Sequence, residues 1–247
     1  MKTFLVLLAL FSCVLGRAAE NPLELFRDAN QNFDKGEYDA ASAKYGSLIQ
    51  AGIPSGDLYF NRANADFKAG KLGPSLFNYR RALELLPRDA DVKFNLAYAR
   101  EKVTDRVESK ESFLQRLVNL SQSINEKEAY YLTAISLLLF LLCCIVSTYR
   151  KLEWTLFLRN SLVGVVSLFA MIALHHSLLE SPYGVVKAAE VKIYSGLGKD
   201  NVVLFSLHEG VECIVAESEG DWIRIQLADG KQGWTKAENI LYVRAGE

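Results

Sequence analysis

The side chains in this 247-residue chain most specific to metal ligation or to nucleophile and base chemistry are three His and four Cys. Their spacing argues against both uses. His175 and His176 are adjacent, and neighbours on a helix point about 100° apart, so the pair does not readily close on one ion. Cys143 and Cys144 lie inside an apolar stretch, Cys213 stands alone in an alternating pattern, and Cys13 falls in the apolar amino terminus. With no CxxC pair, they read as small buried hydrophobes. No nucleophile, base and orienting group come together, so a non-enzymatic protein without cofactor or metal is expected. The pattern with information is aromatic instead. Phe26, Phe60 and Phe94 are 34 residues apart, as are Phe33 and Phe67, Tyr45 and Tyr79, Gly36 and Gly70, and Ala29, Ala63 and Ala97. A periodic aromatic stripe is suited to gripping an extended apolar peptide or a partner helix.

The elements that must carry this stripe are helices. Asn21-Pro22 suits an N-cap followed by proline at the first helical position. Phe26, Ala29 and Phe33 then recur at helical spacing until Lys35-Gly36. Tyr38, Ala41, Tyr45 and Leu48 form an antiparallel partner that ends near Gly52-Ile53-Pro54. A second pair is predicted over 58–69 and 75–86, turning at Gly70 and stopped by Pro87, and a further first helix over 91–103. Residues 109–124, with Phe113, Leu114, Leu117, Val118 and Leu120, offer an amphipathic helix to cap the stack, or one lying on a membrane surface. Half the chain is apolar, 23% is charged and the net charge is −1. No basic run is present, which argues against a nucleic-acid partner.

Ala63, Gly70, Tyr79, Ala82-Leu83 and Pro87, preceded by Ala29, Gly36, Tyr38, Ala41 and Tyr45, resemble the tetratricopeptide repeat. Ser75, Leu72 and the late Pro54 depart from its pattern. The resemblance implies stacked helix pairs over 19–124, crossing closely at the alanines. It also implies a concave groove lined by first-helix residues. Those are Phe26, Asn30 and Phe33, then Phe60, Asn64 and Phe67, then Phe94 and Tyr98. In repeats that capture carboxyl termini, cations would stand at Phe26, Asp91 and Asn95. None is basic here, so carboxylate capture is not expected.

The apolar residues concentrate in three places. Residues 1–18 read as a secretory signal, with Lys2 before an apolar run over 4–15 and small residues at Gly16 and Ala18. Cleavage is expected after Ala18 or after Gly16, and Leu10-Phe11-Ser12-Cys13 only faintly resembles a lipidation box. Residues 129–148 and 160–179 are each long enough to cross a hydrocarbon core of about 30 Å. The intervening 149–159 carries Arg150, Lys151 and Arg159 against Glu153. By the positive-inside rule it is predicted to be cytoplasmic, which leaves both flanking regions outside the inner membrane.

From about residue 184 the pattern changes to short alternating runs: 185–194, 202–204, 211–216, 222–227 and 241–243. Turns are signalled at Glu219-Gly220-Asp221 and Asp229-Gly230. The order His208-Glu209-Gly210, Glu219-Gly220-Asp221-Trp222, Asp229-Gly230, Gly233-Trp234 resembles a bacterial SH3 domain. That implies a small all-β SH3-like barrel over 184–247, which binds wall peptides or serves as scaffolding. Tyr194, Trp222 and Trp234 are its candidate surface aromatics, with a core position the alternative for the two tryptophans. The full order of all-α tetratricopeptide solenoid, two-helix transmembrane hairpin and barrel resembles BatE-type proteins of the Bat aerotolerance operon. This resemblance implies a membrane-anchored periplasmic scaffold with membrane-bound Bat partners that carry von Willebrand factor A domains. Peptidoglycan sensing through the barrel is the alternative.

Overall fold

The computed structural model describes residues 21–53, 55–107, 124, 126–149, 153–178, 183–198 and 200–243. The expected signal, Cys13 and nearly all of the expected 109–124 helix lie outside these residues, and the side chains of His175 and His176 are not among those described.

The helical region is built from α1 (Pro22–Asp34), α2 (Tyr38–Gln50), α3 (Gly56–Lys68), α4 (Leu72–Leu85) and α5 (Ala90–Arg100). Local chemistry sets their ends. The Asn21 side chain accepts from the Leu23 N–H, with Pro22 opening the helix. Ser55 accepts from Leu58 N, and Asp89 from Asp91 N and Val92 N. Between the helices of each pair the chain reverses at Gly36 (φ +79°) and Gly70 (φ +78°), left-handed backbone that other residues adopt only with strain. Neighbouring helices pack throughout α1–α5. Ala29, Ala41, Ala63 and Ala82 are wholly buried where helices cross, so a larger side chain would force them apart. Ala97, at the matching position of α5, is exposed.

A polar knot ties the first pair to the second. Asp66 of α3 is buried. Its Oδ1 accepts from Ser42 Oγ of α2 at 2.6 Å and its Oδ2 from Asn78 Nδ2 of α4 at 2.9 Å. Burial raises its pKa, while Ser42, Arg62, Asn78 and Lys71 pull the other way.

Helices α6 (Glu126–Tyr149) and α7 (Glu153–Leu178) pack against each other. Lys127–Thr148 has a mean hydropathy of 2.4 and Phe157–Leu174 of 1.9, so both are long and apolar enough to cross a membrane. Ala129, Ser136 and Cys143, each seven residues on, are buried, as is Ala173 of α7, while Leu138, Leu142, Phe157 and Met171 face outward. Small residues on such a seam allow close helix approach. The predicted 149–159 loop is shorter than expected. α7 already begins at Glu153. With no breaker after it, Trp154 and Arg159 ride on the helix.

The last unit is an antiparallel sheet of β1 (Tyr183–Val186), β2 (Glu190–Tyr194), β3 (Val203–His208), β4 (Glu212–Glu219), β5 (Trp222–Gln226), β6 (Gln232–Lys236) and β7 (Ile240–Tyr242). The strand order is β3-β2-β6-β5-β4-β1-β7. Alternation points Ile193, Ile223, Ile225 and Val215 inward to one apolar core. The single predicted run at 185–194 is two strands, and β6, which contains Gly233-Trp234, was not among the predicted runs. Cys213 sits in the core, where burial and the neighbouring Glu212 push its thiol up to about 12; it is not a reactive thiol.

This barrel docks on α4 and α5. Tyr183 and Val185 of β1 join Leu76, Leu96 and Ala99 in one apolar cluster, and Val103 and Val107 pack onto the barrel core. Around that seal, Arg100 makes a two-pronged contact with Glu212, each bond 2.9 Å. Glu209 Oε1 accepts from Gly73 N at 2.9 Å, at the first turn of α4, where a carboxylate is favoured. His208 N donates to Asp105 Oδ2 at 2.7 Å.

Candidate functional site

One face of α1, α3 and α5 holds two adjoining cavities. The first, ≈ 260 Å³, is lined by Asn30, Phe33, Asp34, Tyr45, Asn61 and Asn64. The second, ≈ 390 Å³, is lined by Phe33, Asn64, Phe67, Lys68, Tyr79, Phe94, Asn95 and Tyr98. Sharing Phe33 and Asn64, they form one cleft running across all three helices.

The amides in this cleft are held from behind. Tyr45 Oη donates to Asn30 Oδ1 at 2.6 Å, and Tyr79 Oη to Asn64 Oδ1 at 2.6 Å. Asn95 Nδ2 also donates to Asn64 Oδ1, at 3.0 Å. With their oxygens so engaged, Asn30 and Asn64 have donors left to offer an extended chain. Burial raises the pKa of both tyrosines, helped by Asp34 at Tyr45, so each hydroxyl keeps the proton it donates. Lys102 Nζ lies 4.8 Å over the Tyr98 ring. Asp34 lines the first cavity and Lys68 the second.

Of the eight residues predicted for the groove, Asn30, Phe33, Asn64, Phe67, Phe94 and Tyr98 line the cleft. Phe94 is 70% exposed and Tyr98 45%. Phe26 and Phe60 go elsewhere: they pack on Tyr45 and Tyr79, ring centroids 6.1 and 6.0 Å apart, against the apolar cores. Asn61 and Asn95 entered the sequence reading only as positions of a carboxylate clamp and were not among the predicted groove residues. They are themselves 34 residues apart, a signal that the aromatic period overshadowed. Phe94→Glu is therefore expected to leave thermal stability within about 0.5 kcal/mol of the parent, as for other exposed sites. Phe60→Glu should lower it markedly, because it puts a charge among core side chains. Melting curves of the two variants in one detergent check this.

A second surface lies on the outside of the barrel. Arg224 pairs in register with Trp234, and Trp234 with Tyr194, so the three share a face. Trp222, two residues from Arg224, joins them, its ring edge-on to Tyr194 at 5.8 Å. An Arg224–Glu217 ion pair crosses the same face. All three aromatics are half-buried, and the core positions between them are taken by Ile223, Ile225 and Thr235. The tryptophans are thus surface rather than core residues. No part of the helical region that docks the barrel touches this face in the contacts described above.

The barrel's sequence accounts for its shape. Residues 187–241 match the model of the bacterial SH3 domain family, so the carboxyl-terminal unit is a bacterial SH3 domain. The matched span starts after β1, the strand that carries Tyr183 and Val185 into the helical core. No curated protein matches the chain.

Proposed function

We propose that the protein is a non-enzymatic, membrane-anchored scaffold of the BatE type. In this reading α1–α5 are tetratricopeptide repeats, α6 and α7 cross the inner membrane, and repeats and barrel stand in the periplasm. The observation that carries it is the continuous cleft, where Phe33, Phe67, Phe94 and Tyr98 alternate with amides whose orientation is fixed. Such a surface suits an extended segment that supplies backbone acceptors and an apolar side chain. Its partners are expected to be membrane-bound Bat proteins with von Willebrand factor A domains. Crosslinking in cells, mild-detergent purification of the full chain and mass spectrometry test this. Recovery of those proteins, lost with Phe94→Glu, supports the reading; recovery undiminished by that change removes the cleft from it.

The aromatic face of the SH3 domain favours a second reading, in which the barrel binds peptidoglycan. Full-length protein should then sediment with isolated sacculi, and Trp222→Ala should reduce the bound fraction about tenfold, the size of effect that losing one stacked aromatic contact brings. Equal sedimentation of parent and variant would remove this face from wall binding.

A further inference from the structure

We propose that the tip joining β2 to β3 rests on the lipid surface entered by α6 and α7; the assignment rests on reading those helices as membrane spans. The tip carries Leu197, Val202, Val203 and Leu204, exposed by 43 to 71%. Successive strand residues point to opposite faces. Val202 and Val203 are exposed at the start of β3, and Leu204, whose Cδ1 lies over Gly233 of β6, keeps half its surface exposed, so the apolar projection centres on Leu197, Val202 and Val203. β3 is also an end strand, bonded only to β2. An apolar projection of this kind on a tethered domain calls for a partner surface.

The chain itself says which surface. Arg88, just beyond α4, pairs with Glu128 at the foot of α6, so the carboxyl end of α4 lies at the level where the apolar hairpin begins. α7 ends at Leu178 and β1 starts at Tyr183, a tether of four residues spanning at most about 18 Å. Tyr183 lies under Arg80, its ring 5.2 Å from the guanidinium carbon, and Arg80 is about 8 Å of helix from the end of α4. β1 then runs back along α4, bringing the Val186 carbonyl to Gly73. It therefore points away from the hairpin.

β4 returns antiparallel to β1. Ile214 pairs with Tyr183, and five further residues, about 16 Å of strand, carry the chain to Glu219 on the hairpin side. Glu219 pairs with Trp222, whose ring meets Tyr194, and the tip leaves the barrel at the next residue, Ser195. The docking end, with His208 and Glu209, is opposite. Trp222, Tyr194 and the apolar tip thus stand together at the end nearest the hairpin, where aromatic residues settle among lipid headgroups. Glu219 and Asp221 on the neighbouring turn and Asp200 of the tip outnumber Lys199 of the tip and Lys236, which pairs with Trp222, so the charge balance at this end opposes anionic headgroups. The surface that fits is a zwitterionic one.

Photocrosslinking decides it. Benzoylphenylalanine is placed at Val203, at Leu141 within α6, or at the exposed Ala40 in the first turn of α2, the end away from the hairpin, in the full chain in phosphatidylcholine nanodiscs, and lipid adducts are read by intact mass. Adducts at positions 203 and 141 and none at 40 are expected. An adduct at 141 with none at 203 overturns the tip assignment and leaves the spans standing. No adduct at 141 overturns the span reading and the tip with it. A protein–protein adduct at 203 assigns the tip to a second copy and overturns the lipid contact. Replacing part of the phosphatidylcholine with phosphatidylglycerol is expected to lower the yield at 203 and not at 141. A yield at 203 that rises instead overturns the zwitterionic assignment.

Discussion

Gly73→Ala is expected to loosen the barrel from the helices, lowering stability by about 1–3 kcal/mol, the usual cost of forcing atoms into a packed contact. A Cβ at Gly73 would stand 2.4 Å from the Val186 carbonyl oxygen and 3.0 Å from Lys187 Cα. Both are backbone atoms, with no rotamer to move. The sign is informative because helix propensity alone favours alanine over glycine by up to about 1 kcal/mol. A stabilised variant would mean that β1 does not lie against α4. A destabilised one should also show where the strain goes. Separation along β1 breaks the bond from Gly73 N to Glu209 and the contacts of Tyr183 and Val185. Faster amide exchange is then expected at 183–187 and in α5, while β5 and β6 remain protected. Thermal unfolding with hydrogen exchange on the full-length protein measures both.

The docked barrel was hidden from the sequence for a physical reason. Its polar contacts join residues 103 to 136 positions apart, and each depends on single side chains such as Asp105, Arg100 and Glu209. Neither periodicity nor turn chemistry registers such a pairing. The helices were legible because their ends are set locally, by Asn21, Pro22, Ser55, Asp89 and the two positive-φ glycines, and because their packing repeats every 34 residues. That same period could not separate Phe26 and Phe60 from Phe33 and Phe67. Seven residues is two helical turns, so all four fall on one stripe. All four pack on a tyrosine ring, Phe33 on Tyr38 and Phe67 on Tyr98 as well as Phe26 on Tyr45 and Phe60 on Tyr79; what distinguishes Phe33 and Phe67 is that they also line the cleft. In the barrel, alternation along 222–227 put Trp222 and Ile223 on opposite faces but did not say which face was inside. β6 was missed because Gly233 resembles a turn residue. Its glycine is needed instead for closure: a Cβ there would lie 2.5 Å from Ile193 Cγ2 and 2.9 Å from the Tyr194 carbonyl oxygen.

Asp66→Leu should be the more damaging change within the helices, and Asp66→Asn should separate the roles of its shape and its charge. Leucine leaves the Ser42 hydroxyl and the Asn78 amide without their acceptor in a buried seam, at about 1–3 kcal/mol for each group. Asparagine can still accept from Asn78 through its oxygen and donate to Ser42, so little is lost in geometry. What it removes is ionisation. The pKa of Asp66 is raised by burial more than its hydrogen bonds and the cations Arg62 and Lys71 lower it. The native state therefore binds the proton more tightly than the unfolded chain, in which a carboxylate titrates near about 3.9. At neutral pH the buried charge is a net cost, and that cost is relieved as pH falls through the raised native value. The melting temperature of the parent, measured against Asp66→Asn, is accordingly expected to climb as pH is lowered from 7 and to level off below about 4. The difference between the two proteins removes the titration of the other carboxylates from the comparison. A difference that runs the other way would mean that Arg62 and Lys71 outweigh burial and that the knot is held together by an anion. Replacing Arg62 by Gln removes a cation that favours the carboxylate, so the rise is expected to grow; a rise that shrinks instead would overturn the burial account of this junction.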